Sequence, residues 1–232
     1  MQLATLLRYC DVQKEGSAFN LRYYIPHDYE IMARKYGVGL SAIMTEYDLE
    51  TVCGICDGLF IPGSATDIDP KYYGGTPLNP PQEIDEYALD SKVIEHFVRK
   101  GKPIFGICGG LQALNVYFGG TLVLVDNYKD HQDEHHRHEI DITPGSFVHD
   151  VFGSEKATVN SHHGWTLGKV APEFTVVART SADGVIEAIE CKEKHIFATQ
   201  WHPEQSFHTG DPIENTMFEN FIRRCEENAR RR

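Results

Sequence analysis

The strongest chemical signal in the sequence is a cysteine between an apolar run and a segment of helical period. Cys108 ends the run 103–108, and Gly106 and Gly110 lie two residues before and after it. A sharp strand-to-helix turn flanked by glycines is the arrangement that presents the nucleophile of α/β hydrolases. At a helix start, unpaired N–H groups and the helix dipole favour the reactive thiolate. The pattern therefore predicts a nucleophile, whereas a cysteine without these glycines is more often a small buried apolar residue.

A second group of polar residues supplies what such a nucleophile needs. His202 and Glu204 follow the apolar run 195–199, and Pro203 separates them. A thiol nucleophile uses a histidine base and commonly a third group that orients the imidazole. Residues two apart in an extended chain point the same way, so Glu204 can reach His202. Open α/β sheets build their sites at strand ends, which favours this interpretation over a surface pair of polar residues.

The elements that must position these residues alternate along the chain as short apolar runs and longer segments of helical period. The predicted strands are 3–7, 58–61, 103–108, 174–178, 185–189 and 195–199. The predicted helices are 26–36, 85–100, the segment from Cys108 to Gly119, and one that begins near Pro212. Loops and hairpins are expected over 126–159, with one strand-like patch at 139–143. The predicted fold is α/β, with three α/β/α layers and a central, mostly parallel sheet, in one domain over 1–232.

Composition limits the classes of function. The formal net charge is -12 and the sequence pI is about 5.4, so the chain repels phosphate backbones and anionic membranes. Nucleic acid and lipid are therefore not expected as partners. No export signal or membrane span is expected, because no stretch approaches about eighteen apolar residues. Six cysteines, too sparse for a disulfide scaffold, suit a cytoplasmic protein.

The pattern Gly-x-Cys-x-Gly-x-Gln around Cys108, followed far downstream by Gln-Trp-His-Pro-Glu at 200–204, resembles the class I glutamine amidotransferase superfamily. Within it, the chain is most similar to the γ-glutamyl-γ-aminobutyrate hydrolase family, a branch of γ-glutamyl peptidases. The stretches 57–63, 67–74, 159–163 and 183–188 extend the resemblance. It implies a flavodoxin-like glutamine amidotransferase domain that hydrolyses a small γ-glutamyl amide or peptide to glutamate and an amine through a thioester.

The resemblance also implies a role for each site residue. Cys108 would attack the γ-carbonyl, with His202 as the base and Glu204 as the group that orients it. The backbone N–H groups of Gly63 and Gly109 would form an oxyanion hole, in which each donor contributes about 3 kcal/mol. The residues expected to hold the glutamyl end are Gln112, Asn160, Ser161, His162 and His163. No cofactor and no catalytic metal is expected, because two backbone donors can hold the oxyanion.

Three positions depart from the family pattern. Ser64 stands where the family usually has a second glycine, and Gly109 stands where it usually has arginine. Both residues keep a backbone N–H, so the donors of the oxyanion hole are expected to remain. Trp165 stands where glutamine is common. We therefore expect conserved catalysis but a hydrophobic or aromatic leaving amine instead of γ-aminobutyrate.

Two other groups of residues have ligand chemistry. Cys53 and Cys56 have the spacing of a redox or half-zinc motif, but no second ligand pair lies at zinc-ribbon distance. A denser cluster consists of Asp130, His131, Asp133, Glu134, His135, His136 and His138. Histidine with carboxylates suits several divalent ions. The resemblance places this segment over the active-site mouth, which favours a lid or substrate-contacting loop.

Two other function classes stay open. A glutaminase subunit that supplies ammonia to a synthase partner would use the same triad, but the segment 67–73 argues against it by resemblance. A non-enzymatic thiol sensor of a related fold usually has histidine directly after its cysteine, where this chain has Gly109. A homodimer is compatible with the sequence.

Overall fold

The computed structural model describes residues 1–11, 21–78, 84–126, 131, 137–210 and 212–231. In chain order the strands are β1 (Gln2–Leu6), β2 (Arg8–Asp11), β3 (Leu21–Tyr24), β4 (Gly39–Ile43), β5 (Gly58–Ile61), β6 (Ile104–Ile107), β7 (Leu122–Leu124), β8 (Arg137–Ile142), β9 (Lys156–Asn160), β10 (Trp165–Leu167), β11 (Thr175–Thr180), β12 (Ile186–Cys191) and β13 (Ile196–Thr199). The helices are α1 (His27–Tyr36), α2 (Leu49–Ile55), α3 (Glu86–Arg99), α4 (Gly109–Tyr117), α5 (Phe147–Phe152), α6 (Ser206–Thr209) and α7 (Pro212–Arg230).

The largest sheet in the described part of the chain has nine strands, in the order β4-β1-β5-β6-β13-β12-β11-β8-β9. The strands β4, β1, β5, β6 and β13 run parallel to one another, and we call them the parallel half. From β13 onward, each strand pairs antiparallel with the next, and we call β12, β11, β8 and β9 the antiparallel half. The predicted α/β class with a large central sheet is confirmed.

Helices cover both faces of this sheet. Each residue of β5 is buried, and because side chains alternate along a strand, Leu59 and Ile61 face one core while Phe60 faces the other. Helices α2, α3 and α4 pack on the Leu59 side, and α1, α5 and α7 pack on the Phe60 side. Within the described ranges, no helix is long and apolar enough to span a membrane.

The predicted strands all fall on strands of this sheet, but several elements were not predicted. Strand β4 lies at the sheet edge with only Ile43 buried, so its sequence lacks a long apolar run. Helix α2 has seven residues and contains Gly54, too short to show helical periodicity. In the region predicted as loops and hairpins, β8 overlaps the strand-like patch predicted at 139–143, whereas α5 and β9 were not predicted. Strand β8 alternates exposed polar residues with buried isoleucines, so its sequence is polar overall.

Candidate active site

Cys108 lies at a strained turn between a central strand and a helix. Strand β6 is buried along its whole length, and Cys108 directly precedes helix α4 with φ 49° and ψ −104°. Positive φ is unfavourable for a residue with a Cβ and marks a sharp, constrained turn. The Cys108 N–H donates to the Thr199 carbonyl at 2.8 Å and so ties the turn to β13.

The neighbouring glycines are required by close packing. A Cβ atom at Gly110 would lie 2.3 Å from the carbonyl oxygen of Ile61. A Cβ atom at Gly106 would lie 2.8 Å from the backbone of Gly110. No larger residue fits at either position without moving backbone, which is the reason the sequence pattern suggested for these glycines.

His202 and Glu204 follow the adjacent strand β13. The Glu204 carboxylate oxygen Oε1 lies 2.7 Å from His202 Nδ1, and both side chains are largely buried. Residues Pro203–Gln205 form one turn of 3-10 helix. The predicted contact is therefore present, but the reason given for it was wrong, because a turn and not an extended chain brings the carboxylate to the imidazole.

The surroundings of His202 favour its charged form. Burial alone would lower the pKa of His202, but the Glu204 carboxylate and the Cys108 sulfur raise it well above its ordinary value. Gly63 lies against both residues, since a Cβ atom there would be 3.0 Å from His202 Cε1 and 3.5 Å from Cys108 Cβ. The structure thus brings together the three residues of the predicted triad and one of the two predicted oxyanion glycines.

Gly109, the other predicted oxyanion residue, is the first residue of α4. The first N–H groups of a helix have no partner within the helix, so they are available to a substrate oxygen. A Cβ atom at Gly109 would lie 2.9 Å from the Ser64 nitrogen and 3.1 Å from Ser64 Cβ. The loop after Gly63 and the start of α4 therefore touch at two of the three positions that depart from the family pattern, Ser64 and Gly109.

Buried polar groups hold the loop that carries Gly63. The Ser64 hydroxyl contacts Glu86 Oε2 at 2.5 Å. Arg8 donates to the Pro62 carbonyl at 2.9 and 3.2 Å and pairs with Asp90 at 2.9 Å. Burial raises the pKa of Asp90 to about 6, although Arg8 opposes this shift. Sequence reasoning missed this network because Arg8 follows the predicted strand 3–7 and Asp90 stands in a segment predicted only as a helix.

Two further side chains support the triad from behind. Asn160 accepts from the His202 N–H at 2.8 Å and donates to the His202 carbonyl at 2.8 Å. The Asn160 side chain therefore holds the backbone of His202. Its predicted contact with the glutamyl end stays a prediction. Gln200 Nε2 lies 3.5 Å from Cys108 Sγ, and its side chain is fully buried. The residue stands in the downstream motif, but the sequence assigned it no role.

The other predicted substrate residues fall into two sets. His162 is exposed, its carbonyl lies 3.9 Å from Cys108 Sγ, and its ring is 6.2 Å from that of His202. Gln112 donates to the Trp165 carbonyl at 3.0 Å. These residues lie beside the triad, where they can contact a substrate.

Ser161 and His163 make their side-chain contacts in a buried polar region, while their predicted contact with substrate stays a prediction. The Ser161 hydroxyl donates to the carbonyl of His131 at 3.2 Å, and His163 Nε2 lies 3.4 Å from Glu187 Oε1. His131 is buried and contacts Asp183 at 2.9 Å. The residues 130 and 132–136, on which most of the predicted lid falls, lie outside the described residues.

Cys53 and Cys56 do not form a surface motif. Both are buried free cysteines, and the Lys102 ammonium donates to the backbone carbonyls of both. Burial raises the pKa of the Cys56 thiol, which makes it a poorer metal ligand and nucleophile.

Comparisons with known proteins agree with this geometry. Residues 10–204 match the family model described as Peptidase C26. The candidate glutamine amidotransferase-like protein YvdE of Lactococcus lactis is 34% identical over 182 residues, which cover 72% of this chain and 73% of that protein. The γ-glutamyl-γ-aminobutyrate hydrolase PuuD of Escherichia coli is 31% identical over 194 residues, which cover 77% of this chain and 75% of that protein.

A structural comparison extends the fold to nearly the whole chain. The crystal structure of a candidate GMP synthase subunit from Thermoplasma acidophilum matches with a TM-score of 0.70 and 20% identity, and the match covers 99% of this chain and 96% of that one. At this identity the likeness concerns the fold alone. From the family match and the identity to curated relatives, we conclude that the chain belongs to the Peptidase C26 family and is an enzyme of the cysteine-type hydrolase or amidotransferase class.

Proposed function

We propose that this enzyme hydrolyses a small γ-glutamyl amide or short γ-glutamyl peptide to glutamate and an amine. Cys108 is the nucleophile, His202 is the base and Glu204 orients the imidazole. The observation that carries the proposal is the 2.7 Å contact between Glu204 and His202 Nδ1, made beside the strained turn at Cys108. The adjacent parallel strands β6 and β13 end just before Cys108 and His202, so strand pairing brings the two residues to the same side of the sheet.

In the first half-reaction, Cys108 Sγ forms a bond to the γ-carbonyl carbon and the carbonyl electron pair moves to oxygen. The N–H groups of Gly63 and Gly109 hold the resulting oxyanion. When the intermediate collapses, the C–N bond breaks and His202 donates its proton to the leaving amine. The product is a glutamyl thioester on Cys108 and a neutral imidazole.

In the second half-reaction, His202 takes a proton from water as the water oxygen attacks the thioester carbon. The C–S bond then breaks, glutamate leaves, and the proton returns to the pair of Cys108 and His202. Because neighbouring charges raise the pKa of His202, an imidazolium is available at neutral pH to protonate the amine. Glu204 holds the Nδ1 proton, so Nε2 is the nitrogen left for this transfer.

Two observations support a glutamyl group in the substrate: the name of a similar protein and the residues that lie near Cys108. PuuD, whose name describes it as a γ-glutamyl-γ-aminobutyrate hydrolase, is 31% identical to this chain. The His162 carbonyl lies 3.9 Å from Cys108 Sγ, and Gln112, on the helix that follows Cys108, is the other residue proposed to hold the glutamyl end. Trp165 hydrogen-bonds through its side chain with Asp67 and through its carbonyl with Gln112. A half-buried indole fixed in this way offers an apolar wall to the leaving amine.

The test is a screen of purified protein against γ-glutamyl amides that differ only in their amine, with free glutamate as the readout. The panel includes γ-glutamyl-γ-aminobutyrate, an aromatic γ-glutamyl amide and glutamine. We expect glutamate release from the γ-glutamyl amides, with the aromatic amide ahead of the γ-aminobutyrate amide. If glutamine alone were hydrolysed, the enzyme would be a glutaminase and the proposal would be wrong.

The nucleophile is tested by Cys108→Ala, which should lower glutamate release by at least about 10³-fold. The matched control is Cys191→Ala, which removes another buried free cysteine, on β12 in the antiparallel half. We expect the control to retain its activity. Equal activity in Cys108→Ala and the control would show that the reaction does not use this thiol.

A further inference from the structure

A group of histidines and carboxylates lies in the protein interior outside the triad, and we call it the histidine cluster. Its members are His131, His138, His163, Asp183 and Glu187. Glu187 belongs to β12, His138 to β8, and His163 to the segment between β9 and β10. His131, His163 and Glu187 are buried, and Glu187 has no exposed surface. The proposed mechanism uses none of these side chains.

The nitrogen-to-oxygen distances to Glu187 within the cluster are longer than those of charge-assisted hydrogen bonds. His138 Nε2 and His163 Nε2 each lie 3.4 Å from the same oxygen, Glu187 Oε1. A charge-assisted hydrogen bond between nitrogen and oxygen is shorter, about 2.7–2.9 Å. Two ligands bonded at about 2.1 Å to one tetrahedral zinc ion lie about 3.4 Å apart. The observed separations therefore match the edge of a metal coordination sphere better than a hydrogen bond.

The orientation of His163 also suits a cation. Its Nδ1 lies 3.2 Å from the Trp165 carbonyl, which can only accept, so Nδ1 carries a proton. The other nitrogen, Nε2, is then free to act as a ligand and points at the Glu187 carboxylate. A backbone carbonyl behind the distal nitrogen is the usual support of a metal-bound histidine.

His131 has the corresponding support from a side chain. Asp183 Oδ2 lies 2.9 Å from His131 Nε2. In many metal sites, a carboxylate holds the second ring nitrogen of a metal-bound histidine in this way. One ring nitrogen of His131, one of His163 and one oxygen of Glu187 all lie within 4.8 Å of one another. Three ligand groups of types common in zinc sites are thus within reach of a single ion.

The burial of Glu187 supplies an independent observation. In the part of the chain that the structure describes, neither carboxylate oxygen of Glu187 makes a well-aligned hydrogen bond, and its contacts with His138 Nε2 and His163 Nε2 are 3.4 Å long. A buried carboxylate without hydrogen bonds is unfavourable unless a cation compensates its charge. A metal ion would satisfy the Glu187 carboxylate and His163 Nε2 at once.

We propose that His131, His163 and Glu187 bind one divalent cation of the zinc type, with His138 close by, 3.4 Å from Glu187 Oε1. The ion is structural, because the contacts of its ligands are with Asp183, Ser161 and the Trp165 carbonyl and with one another. It fastens the segment between β9 and β10 to β12. The assignment gives His163 a metal-binding role in place of its predicted substrate contact, and it leaves the expected absence of a catalytic metal unchanged.

The experiment uses the full chain, stripped of metal with a chelator and titrated with Zn²⁺ against a chromophoric competitor. We expect one equivalent per chain, and a tetrahedral absorption spectrum when Co²⁺ replaces Zn²⁺. Glu187→Gln should weaken Zn²⁺ binding by at least about 100-fold, because it removes a charged ligand at nearly constant volume. The matched control is His162→Gln, the exposed neighbour of His163, which should bind Zn²⁺ as the unaltered protein does.

A second variant keeps the test interpretable if Glu187→Gln does not fold. Asp183→Asn keeps every ligand and removes only the carboxylate behind His131, so it should weaken Zn²⁺ binding by about 10–100-fold. Absence of stoichiometric binding by the unaltered protein would overturn the proposal, as would equal binding by Asp183→Asn and the control. Because the readout is metal binding, such a failure would leave the proposed hydrolysis unaffected.

Discussion

The two halves of the sheet position polar side chains in different ways. In the parallel half, the neighbouring strands β6 and β13 have their carboxyl ends on the same side of the sheet. Backbone pairing of these strands therefore brings Cys108 and His202 together. In the antiparallel half, Glu187 on β12 and His138 on β8 are separated by β11 and meet through side chains that cross the interior. The first arrangement favours chemistry at an open edge, and the second favours a buried site.

The comparison predicts that loss of one carboxylate has very different effects in the two halves. Glu204→Gln should lower kcat/KM by about 10²–10⁴-fold for every γ-glutamyl substrate, because it removes the group that orients His202. Glu190→Gln is the matched control in β12, where Oε2 accepts from the Phe147 N–H at 2.9 Å and an amide oxygen can do the same. We expect the control to stay within about threefold of the unaltered enzyme.

Glu204→Gln should also change the pKa of His202. Because the pKa of His202 is raised in the folded protein, its protonation stabilises the fold fully below about pH 6.5. This contribution is lost as pH rises through the folded-state pKa. Glu204→Gln removes a cause of the shift, so NMR titration should find a lower pKa for His202. An unchanged titration would mean that Glu204 does not act on the imidazole.

The sequence predicted the parallel half of this comparison much better than the antiparallel half. Cys108 follows its apolar strand directly and His202 comes three residues after the end of the neighbouring one, so local pattern was enough to place both at the carboxyl ends of strands. The role of Glu187 was not predictable in this way, because it stands inside an apolar run and its partners come from distant segments. Which of these segments pair depends on strand order, which periodicity does not encode.

A stability measurement extends the comparison to the network under the Gly63 loop. Arg8→Met should destabilise the protein by about 3–5 kcal/mol, because it leaves the buried Asp90 without its partner. Arg34→Met is the matched control, since Arg34 forms an exposed pair with Glu30 and should cost less than about 1 kcal/mol. The measurement is the free energy of unfolding in urea.

The loss of stability in Arg8→Met should also depend on pH. The pKa of Asp90 is about 6, above its unfolded value, so the stability that Asp90 contributes is present below about pH 4 and is lost as pH rises through 6. Without Arg8 the folded-state pKa rises further, so the loss extends to higher pH. The variant should therefore approach the unaltered protein near pH 4 and diverge above pH 6. A constant difference would contradict the assigned pair.

A smaller effect on stability is expected at Gly109 and Ser64, two positions that depart from the family pattern and contact each other. Gly109→Arg restores the usual family residue, but its Cβ atom would lie 2.9 Å from the Ser64 nitrogen, so we expect a loss of about 1–3 kcal/mol in stability. Adding Ser64→Gly removes the 3.1 Å contact and loosens the backbone, and should recover at least about 0.5 kcal/mol. Gly54→Arg, in open space on α2, is the control. Strictly additive effects would show that the positions are independent.

The smallest effect should fall on discrimination between substrates. Trp165 lies next to the triad but outside the parallel half, in β10, which pairs with β7. Its replacement should leave the thiol chemistry intact, because no atom of its side chain is assigned a part in it. Trp165→Gln should lower the preference for an aromatic over a γ-aminobutyrate leaving amine by about tenfold, since burial of a ring against an apolar wall contributes about 1–2 kcal/mol. The measurement is the ratio of kcat/KM for the two amides, and Tyr47→Gln, which replaces an exposed aromatic residue in the turn between β4 and α2, is the control. If the ratio in Trp165→Gln stays equal to that of the unaltered enzyme and of the control, the indole does not select the amine, and the selectivity originates elsewhere.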